Sequence, residues 1–77
     1  MREEILGMLK ELRPEHDFES SAAFVEDELL DSFDIISLID MMEEKYGAEI
    51  DALDIVPDNF QSLETIERLV RKSGGTD

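Results

Sequence analysis

The sequence contains no cysteine and no tryptophan, and only two of its 77 residues are proline. Without cysteine the chain can form neither a disulfide nor a thiolate metal site, so packing alone must hold its fold. No segment reaches the roughly 20 apolar residues that a membrane-spanning helix needs, and nothing reads as a signal peptide. We therefore expect one small cytoplasmic domain, a monomer that does not insert into membranes.

Positive charge is also scarce, with seven lysine and arginine residues against 21 aspartate and glutamate residues and a net charge of −14. Lys45 is the only lysine or arginine between Pro14 and Glu67. A surface of this charge disfavours nucleic acid and anionic membranes as partners. Either the acidic middle of the chain steers basic partner surfaces, or its carboxylates only keep a small protein soluble.

Apolar residues recur at helical spacing in three segments, which predicts helices over Arg2–Leu12, Ser32–Tyr46 and Leu63–Lys72. Asp31 and Ser62 precede the second and third helices and have side-chain oxygens suited to N-capping. Pro14 ends the first helix, because the residue before a proline avoids the helical conformation. Gly47 ends the second, because glycine readily takes the left-handed conformation after a helix.

The rest of the chain is predicted to be connections. About 19 residues, 13–31, join the first two helices, and their apolar side chains favour an ordered loop that crosses the core. One or two short helical turns are expected within 50–60. Residues 1–72 are thus predicted to be a single all-α domain, a small antiparallel bundle of three main helices plus a short one. Residues 73–77 are predicted to be a flexible tail.

The second helix is predicted to have two different faces. At about 100° per residue, its core face gathers a set of apolar side chains: Ile35, Leu38, Ile39, Met42 and Tyr46. Another face places Phe33 and Ile36 among acids, next to Ser32. These two apolar residues are either exposed or at the edge of a cleft, which suits a transient interface. For Phe33 the alternative is packing beneath the long loop.

Ser32 lacks the surroundings of a catalytic nucleophile. A nucleophilic serine needs a base within hydrogen-bond reach. The only histidine is His16, and nothing in the sequence indicates that it pairs with Ser32. We expect no catalytic residue, and no metal site because the EF-hand loop spacing is absent. Ser32 is then either a structural residue at the helix start or an acceptor for covalent modification, since a helix N-terminus favours an attached phosphate.

The residues around Ser32 resemble the acyl carrier protein family. The loop 24–27 followed by Asp31-Ser32-Phe33-Asp34 is similar to the family's attachment motif, and 35–50 and 60–70 are similar to its second and last helices. The resemblance implies a 4′-phosphopantetheine arm, attached to Ser32 by a phosphopantetheinyl transferase that uses coenzyme A and magnesium. Asp31 would be the flanking acid. The arm would hold an acyl or aminoacyl group as a thioester for enzymes of fatty-acid, polyketide or related biosynthesis.

The resemblance also implies a partner-recognition surface on the second helix. We predict that ligases or synthases with basic docking surfaces contact a set of six residues: Phe33, Asp34, Ile36, Asp40, Glu43 and Glu44. A small apolar cavity beside Ser32 is expected, lined by Ile36, Ile39 and Ile55.

The chain departs from the fatty-acid carriers ahead of Ser32, where Leu29-Leu30 replaces the usual glycine, and at Ser37 and Asp40. Leu29-Leu30-Asp31-Ser32 looks closer to the D-alanyl carrier proteins. One alternative is therefore an aminoacyl carrier loaded by an adenylating ligase. Another is an unmodified acidic adaptor that docks a partner through Phe33 and Ile36.

Overall fold

Three α-helices form the framework of residues 1–76, the part of the chain that the computed structural model describes. They are α1 (Arg2–Leu12), α2 (Ser32–Tyr46) and α3 (Leu63–Lys72). Three short 3-10 helices lie in the connections, at Phe18–Ser20, Ala52–Asp54 and Pro57–Phe60. Residues 1–76 contain no β-strand, which confirms the predicted all-helical class. The bounds of the three main helices are also as predicted.

The core lies where α1 meets α2 and α3, and the 3-10 helix Pro57–Phe60 packs on α3. The largest fully buried side chains come from every part of the chain: Ile5, Leu9, Phe18, Phe24, Leu38, Met42, Phe60, Ile66 and Val70. Their removal from water is the main favourable contribution to folding. The predicted core face of α2 is buried except for Ile35, which is partly exposed. The resulting body measures 29 × 23 × 19 Å.

The long connection between α1 and α2 is ordered, as predicted. The rings of Phe18 and Phe24 pack edge to face in the core, with centroids 5.2 Å apart. The side-chain oxygen of Gln61 accepts hydrogen bonds from the backbone N–H groups of Val25 at 3.0 Å and Glu26 at 3.3 Å. The backbone N–H of Phe24 donates to the Gln61 carbonyl at 2.9 Å. The loop is therefore tied to the segment that leads into α3.

Residues 73–76 lie against the bundle, where the sequence predicted a flexible tail over 73–77. The carbonyl of Ser73 accepts from the N–H of Glu49 at 3.0 Å, and the N–H of Thr76 donates to the Tyr46 carbonyl at 3.2 Å. Gly75 is buried, and its N–H donates to the Val70 carbonyl at 2.8 Å. Backbone pairing thus joins this segment to the end of α2 and to α3. Asp77 lies outside the described residues.

No helix within residues 1–76 has both the length and the apolar character needed to cross a membrane.

Candidate functional site

The N-terminus of α2 is built as a capping box. The side chain of Asp31 accepts a hydrogen bond from the backbone N–H of Asp34 at 2.9 Å, and the side chain of Asp34 accepts one from the N–H of Asp31 at 3.1 Å. Asp31 is therefore the N-cap, as predicted, and Ser32 is the first helical residue. Reciprocal bonds of this kind satisfy two backbone donors that a helix end otherwise leaves free.

The hydroxyl of Ser32 takes no part in the capping box. Ser32 is exposed, and within residues 1–76 no hydrogen bond involves its Oγ. The capping role that a serine often has at a helix start belongs to Asp31. The result is an accessible, chemically free hydroxyl at the N-terminus of a 15-residue helix, where the helix dipole favours an attached anion.

Arg13, the residue directly after α1, pairs with both carboxylates of the capping box. Its Nε donates to Asp34 Oδ2 at 2.8 Å, and its Nη2 donates to Asp31 Oδ2 at 3.0 Å. The hydrogen bond to Asp34 is the main reason why the pKa of Arg13 is raised. The N–H of Asp34, with a smaller contribution from the charge of Arg13, holds the pKa of Asp31 below its ordinary value. Both groups are therefore charged at neutral pH.

An apolar groove of about 200 Å³ opens at Ser32. Besides Ser32, its lining consists of Ile35, Ile36, Ile55, Val56, Pro57 and Phe60. Ile36 and Ile55 line it as predicted. Ile39 does not, because it points into the core with 7% exposure. The 3-10 helix Pro57–Phe60 supplies the wall that Ile39 was expected to form.

The exposed face of α2 carries most of the residues predicted to meet partners. Phe33 is 81% exposed and Ile36 is 55% exposed, so Phe33 does not pack beneath the long loop. Asp40 and Glu44 are exposed on the same helix. Glu43 is partly buried, and its Oε2 accepts from the N–H of Ile50 at 3.0 Å. Glu43 therefore also anchors the segment that follows α2.

Asp34 lies away from this exposed face, in contrast to the prediction. It is 8% exposed, because its carboxylate turns inward to the Asp31 N–H and to Arg13. A carboxylate held in this way is a structural element of the helix start. Arg13, by contrast, was missed in the sequence, because nothing in the local pattern shows that a residue after α1 reaches the start of α2.

His16, the histidine considered as a base for Ser32, has contacts within its own loop. The imidazole ring of His16 packs edge to face on the ring of Phe18, with centroids 6.2 Å apart. Its Nε2 lies 3.9 Å from Oε2 of Glu15. Among residues 1–76, no group of three or more histidine, aspartate or glutamate side chains is arranged to hold a metal ion.

Comparison of the chain with protein-family models, with curated proteins and with solved structures gives no match. The function is therefore proposed from the residues and their geometry.

Proposed function

We propose that this protein is a carrier of the acyl carrier protein type, with a 4′-phosphopantetheine arm attached through Ser32. The observation that carries the proposal is the exposed hydroxyl of Ser32, which makes no hydrogen bond within residues 1–76 because Asp31 caps the helix. The sequence around this hydroxyl resembles the family's attachment motif. The all-helical body, with a long ordered connection ahead of α2, is compatible with the family's bundle.

The chain contributes the acceptor atom to the attachment reaction. A bond forms between Ser32 Oγ and the phosphorus next to the pantetheine of coenzyme A, and the phosphoanhydride bond breaks to release adenosine 3′,5′-bisphosphate. The hydroxyl proton passes to a base of the transferase, since residues 1–76 place no hydrogen-bonded base on Ser32. The first N–H groups of α2 then face a phosphodiester, an anion that a helix N-terminus stabilises.

The groove beside Ser32 fits the apolar part of a small cargo. When attached, the arm supplies a terminal thiol that holds an acyl or aminoacyl group as a thioester. The walls of the groove are mostly aliphatic and aromatic, and its volume of about 200 Å³ is below the roughly 300–1,000 Å³ of drug-sized ligand sites. Ile36, Ile55 and Val56 are therefore suited to shelter a short acyl or aminoacyl group rather than a long chain.

The exposed face of α2 is suited to brief contacts with a basic partner. Phe33 and Ile36 offer apolar surface, and Asp40 and Glu44 offer negative charge on the same helix. Charge steers the encounter and apolar side chains supply contact area. The transferase and the ligases or synthases that load and unload the arm would dock here through basic surfaces.

Arm attachment is tested with the purified protein, coenzyme A, magnesium and a broad-specificity phosphopantetheinyl transferase. The expected result is an intact-mass gain equal to one phosphopantetheine in the wild type and in Ser37→Ala, and no gain in Ser32→Ala. Ser37 is the matched control because it is an exposed serine on the same helix. Retained attachment in Ser32→Ala would show that the arm is carried elsewhere.

The second candidate is an unmodified acidic adaptor, and the 81% exposure of Phe33 favours it. An adaptor would bind its partner through Phe33 and Ile36 whether or not Ser32 is present. Partner binding by the wild type and by Ser32→Ala distinguishes the two functions, because the partners of a carrier act on the modified protein. Equal partner binding by the wild type and Ser32→Ala, with no arm on either, would favour the adaptor.

A further inference from the structure

We propose that Arg13 is a positioning residue for arm attachment, which neutralises and orients the two carboxylates that flank Ser32. This inference rests on the proposed function. Arg13 is the residue directly after α1, and Asp31 is the residue directly before α2, so the contact between them joins the two ends of the long loop. The guanidinium group of Arg13 therefore links the end of α1 to the start of α2.

The charges around Ser32 make this guanidinium important for the reaction. Asp31 precedes the hydroxyl by one residue, and Asp34 follows it by two. The reacting part of coenzyme A is a diphosphate, which two ionised carboxylates would repel. Arg13 contacts Oδ2 of both carboxylates, at 3.0 Å and 2.8 Å. No other lysine or arginine within residues 1–76 forms an ion pair with either one.

The geometry of the contact favours arginine over a simple point charge. The planar guanidinium presents separate N–H donors, and here Nε serves Asp34 while Nη2 serves Asp31. The side chain of Asp34 is only 11% exposed. A carboxylate this buried is poorly solvated, so loss of its cation leaves it an unpaired charge. Glu15, whose Oε2 lies 3.7 Å from Nη1, is the third carboxylate that faces Arg13.

The proposal predicts a specific kinetic signature. Arg13→Gln makes the site more negative, so the chemical step becomes harder while a basic transferase still binds the carrier at least as well. We expect kcat for arm attachment to fall roughly three- to tenfold, with KM for the carrier unchanged or lower. A purely structural role has the opposite signature. A partly unfolded variant acts as a lower concentration of acceptor, which raises the apparent KM and leaves kcat unchanged.

The experiment measures initial rates of arm attachment against carrier concentration for wild type, Arg13→Gln, Arg13→Lys and Arg68→Gln. Arg68→Gln is the charge-matched control, because Arg68 is exposed and pairs with Glu64 within α3 at 2.8 Å. We expect Arg68→Gln to match the wild type. Arg13→Lys keeps the charge but lacks the two separate donors of the guanidinium, so its kcat should lie between those of Arg13→Gln and the wild type. Circular dichroism in the same buffer reports the folded fraction of each variant.

A second substitution identifies the cause of the loss. In the Arg13→Gln background, Asp34→Asn removes the unpaired carboxylate and keeps a side-chain oxygen that can accept from the N–H of Asp31. The proposal predicts that this double variant regains most of the wild-type kcat. An Arg13→Gln variant with wild-type kcat, or a loss of kcat that Asp34→Asn does not reverse, would overturn it. If the wild type itself acquires no arm, the proposed function fails and this inference fails with it.

Discussion

Asp31 and Asp34 cap α2 reciprocally, each side chain accepting a hydrogen bond from the backbone N–H of the other residue, at 2.9 Å and 3.1 Å. Ser32 lies between them and takes no part in the cap. A hydroxyl at the start of a helix is usually held in place by capping. Here Asp31 and Asp34 stabilise the helix start, and Ser32 supplies the hydroxyl. The hydroxyl can therefore be removed without removing the cap.

The first prediction separates these two roles by their effect on stability. Asp31→Ala removes the cap and the bond from Arg13, and we expect it to lower the free energy of unfolding by about 0.5–2 kcal/mol. Ser32→Ala removes a group that makes no hydrogen bond within residues 1–76, so we expect a change within about 0.5 kcal/mol. Urea unfolding measures both. A larger loss of stability for Ser32→Ala than for Asp31→Ala would show that Asp31 is not the residue that caps the helix.

The second prediction concerns pH. The N–H of Asp34 and the charge of Arg13 lower the pKa of Asp31 from its ordinary value of 3.8. Folding therefore favours the ionised carboxylate, and its contribution to stability is present above the unfolded-state pKa of about 3.9. That contribution is lost as the pH falls through the lower pKa of the folded state.

Asp31→Asn isolates this contribution, because asparagine still caps a helix but does not ionise. The wild type should be more stable than Asp31→Asn by a constant amount between pH 5 and pH 7. The difference should shrink as the pH is lowered beyond about 4. Thermal unfolding across this range measures it. A stability difference that widens on acidification would contradict the sign of the pKa shift.

The third prediction tests the core face of α2. Leu38 is fully buried, so Leu38→Ala should lower the free energy of unfolding by about 2–4 kcal/mol through lost burial and a cavity. Leu53 is 86% exposed and is the control for the same chemical change. Leu53→Ala should stay within about 0.5 kcal/mol of the wild type. Similar losses for both variants would show that Leu38 has no special place in the core.

The fourth prediction tests the packing of residues 73–76. A Cβ added at Gly75 would lie 2.9 Å from the Val70 carbonyl oxygen and 3.3 Å from Ala48 Cβ, and it would also overlap Val70 Cγ1. Gly75→Ala should therefore cost about 1–3 kcal/mol through overpacking. The control is Gly7→Ala in α1, where a Cβ meets nothing within 4 Å and where the expected gain is about 0.5–1 kcal/mol. A neutral Gly75→Ala would mean that this segment does not pack against α3 in solution.

The helices and their ends were predictable because their signals are local. Asp31, Ser62 and Gly47 act within one turn of the helix they bound, and the burial of Leu38 and Met42 follows from a spacing that repeats along one helix. The exposed position of Ile36 follows from the same spacing. The position of Ser32 at the start of α2 was predictable for a similar reason, because Asp31, the capping residue, directly precedes it in the sequence.

Other features depended on contacts between segments far apart in the chain. Asp34 is buried because Arg13, 21 residues away, reaches it, and no periodicity within α2 contains that information. The groove is lined by Val56, Pro57 and Phe60 in place of Ile39. The position of these three residues depends on how the 3-10 helix packs against the bundle. The hydrogen bond from the N–H of Thr76 to the Tyr46 carbonyl likewise joins the segment after α3 to the end of α2, which is far from it in the sequence.

Attachment of the arm to Ser32 is tested most directly by fragmentation mass spectrometry of the protein after incubation with coenzyme A, magnesium and a phosphopantetheinyl transferase. This measurement reports which residue carries the added mass. We expect a single 4′-phosphopantetheine on the peptide that contains Asp31-Ser32-Phe33, with Ser32 as the modified residue. An arm on another serine, or a folded protein that arrives without an arm and gains none, would contradict it.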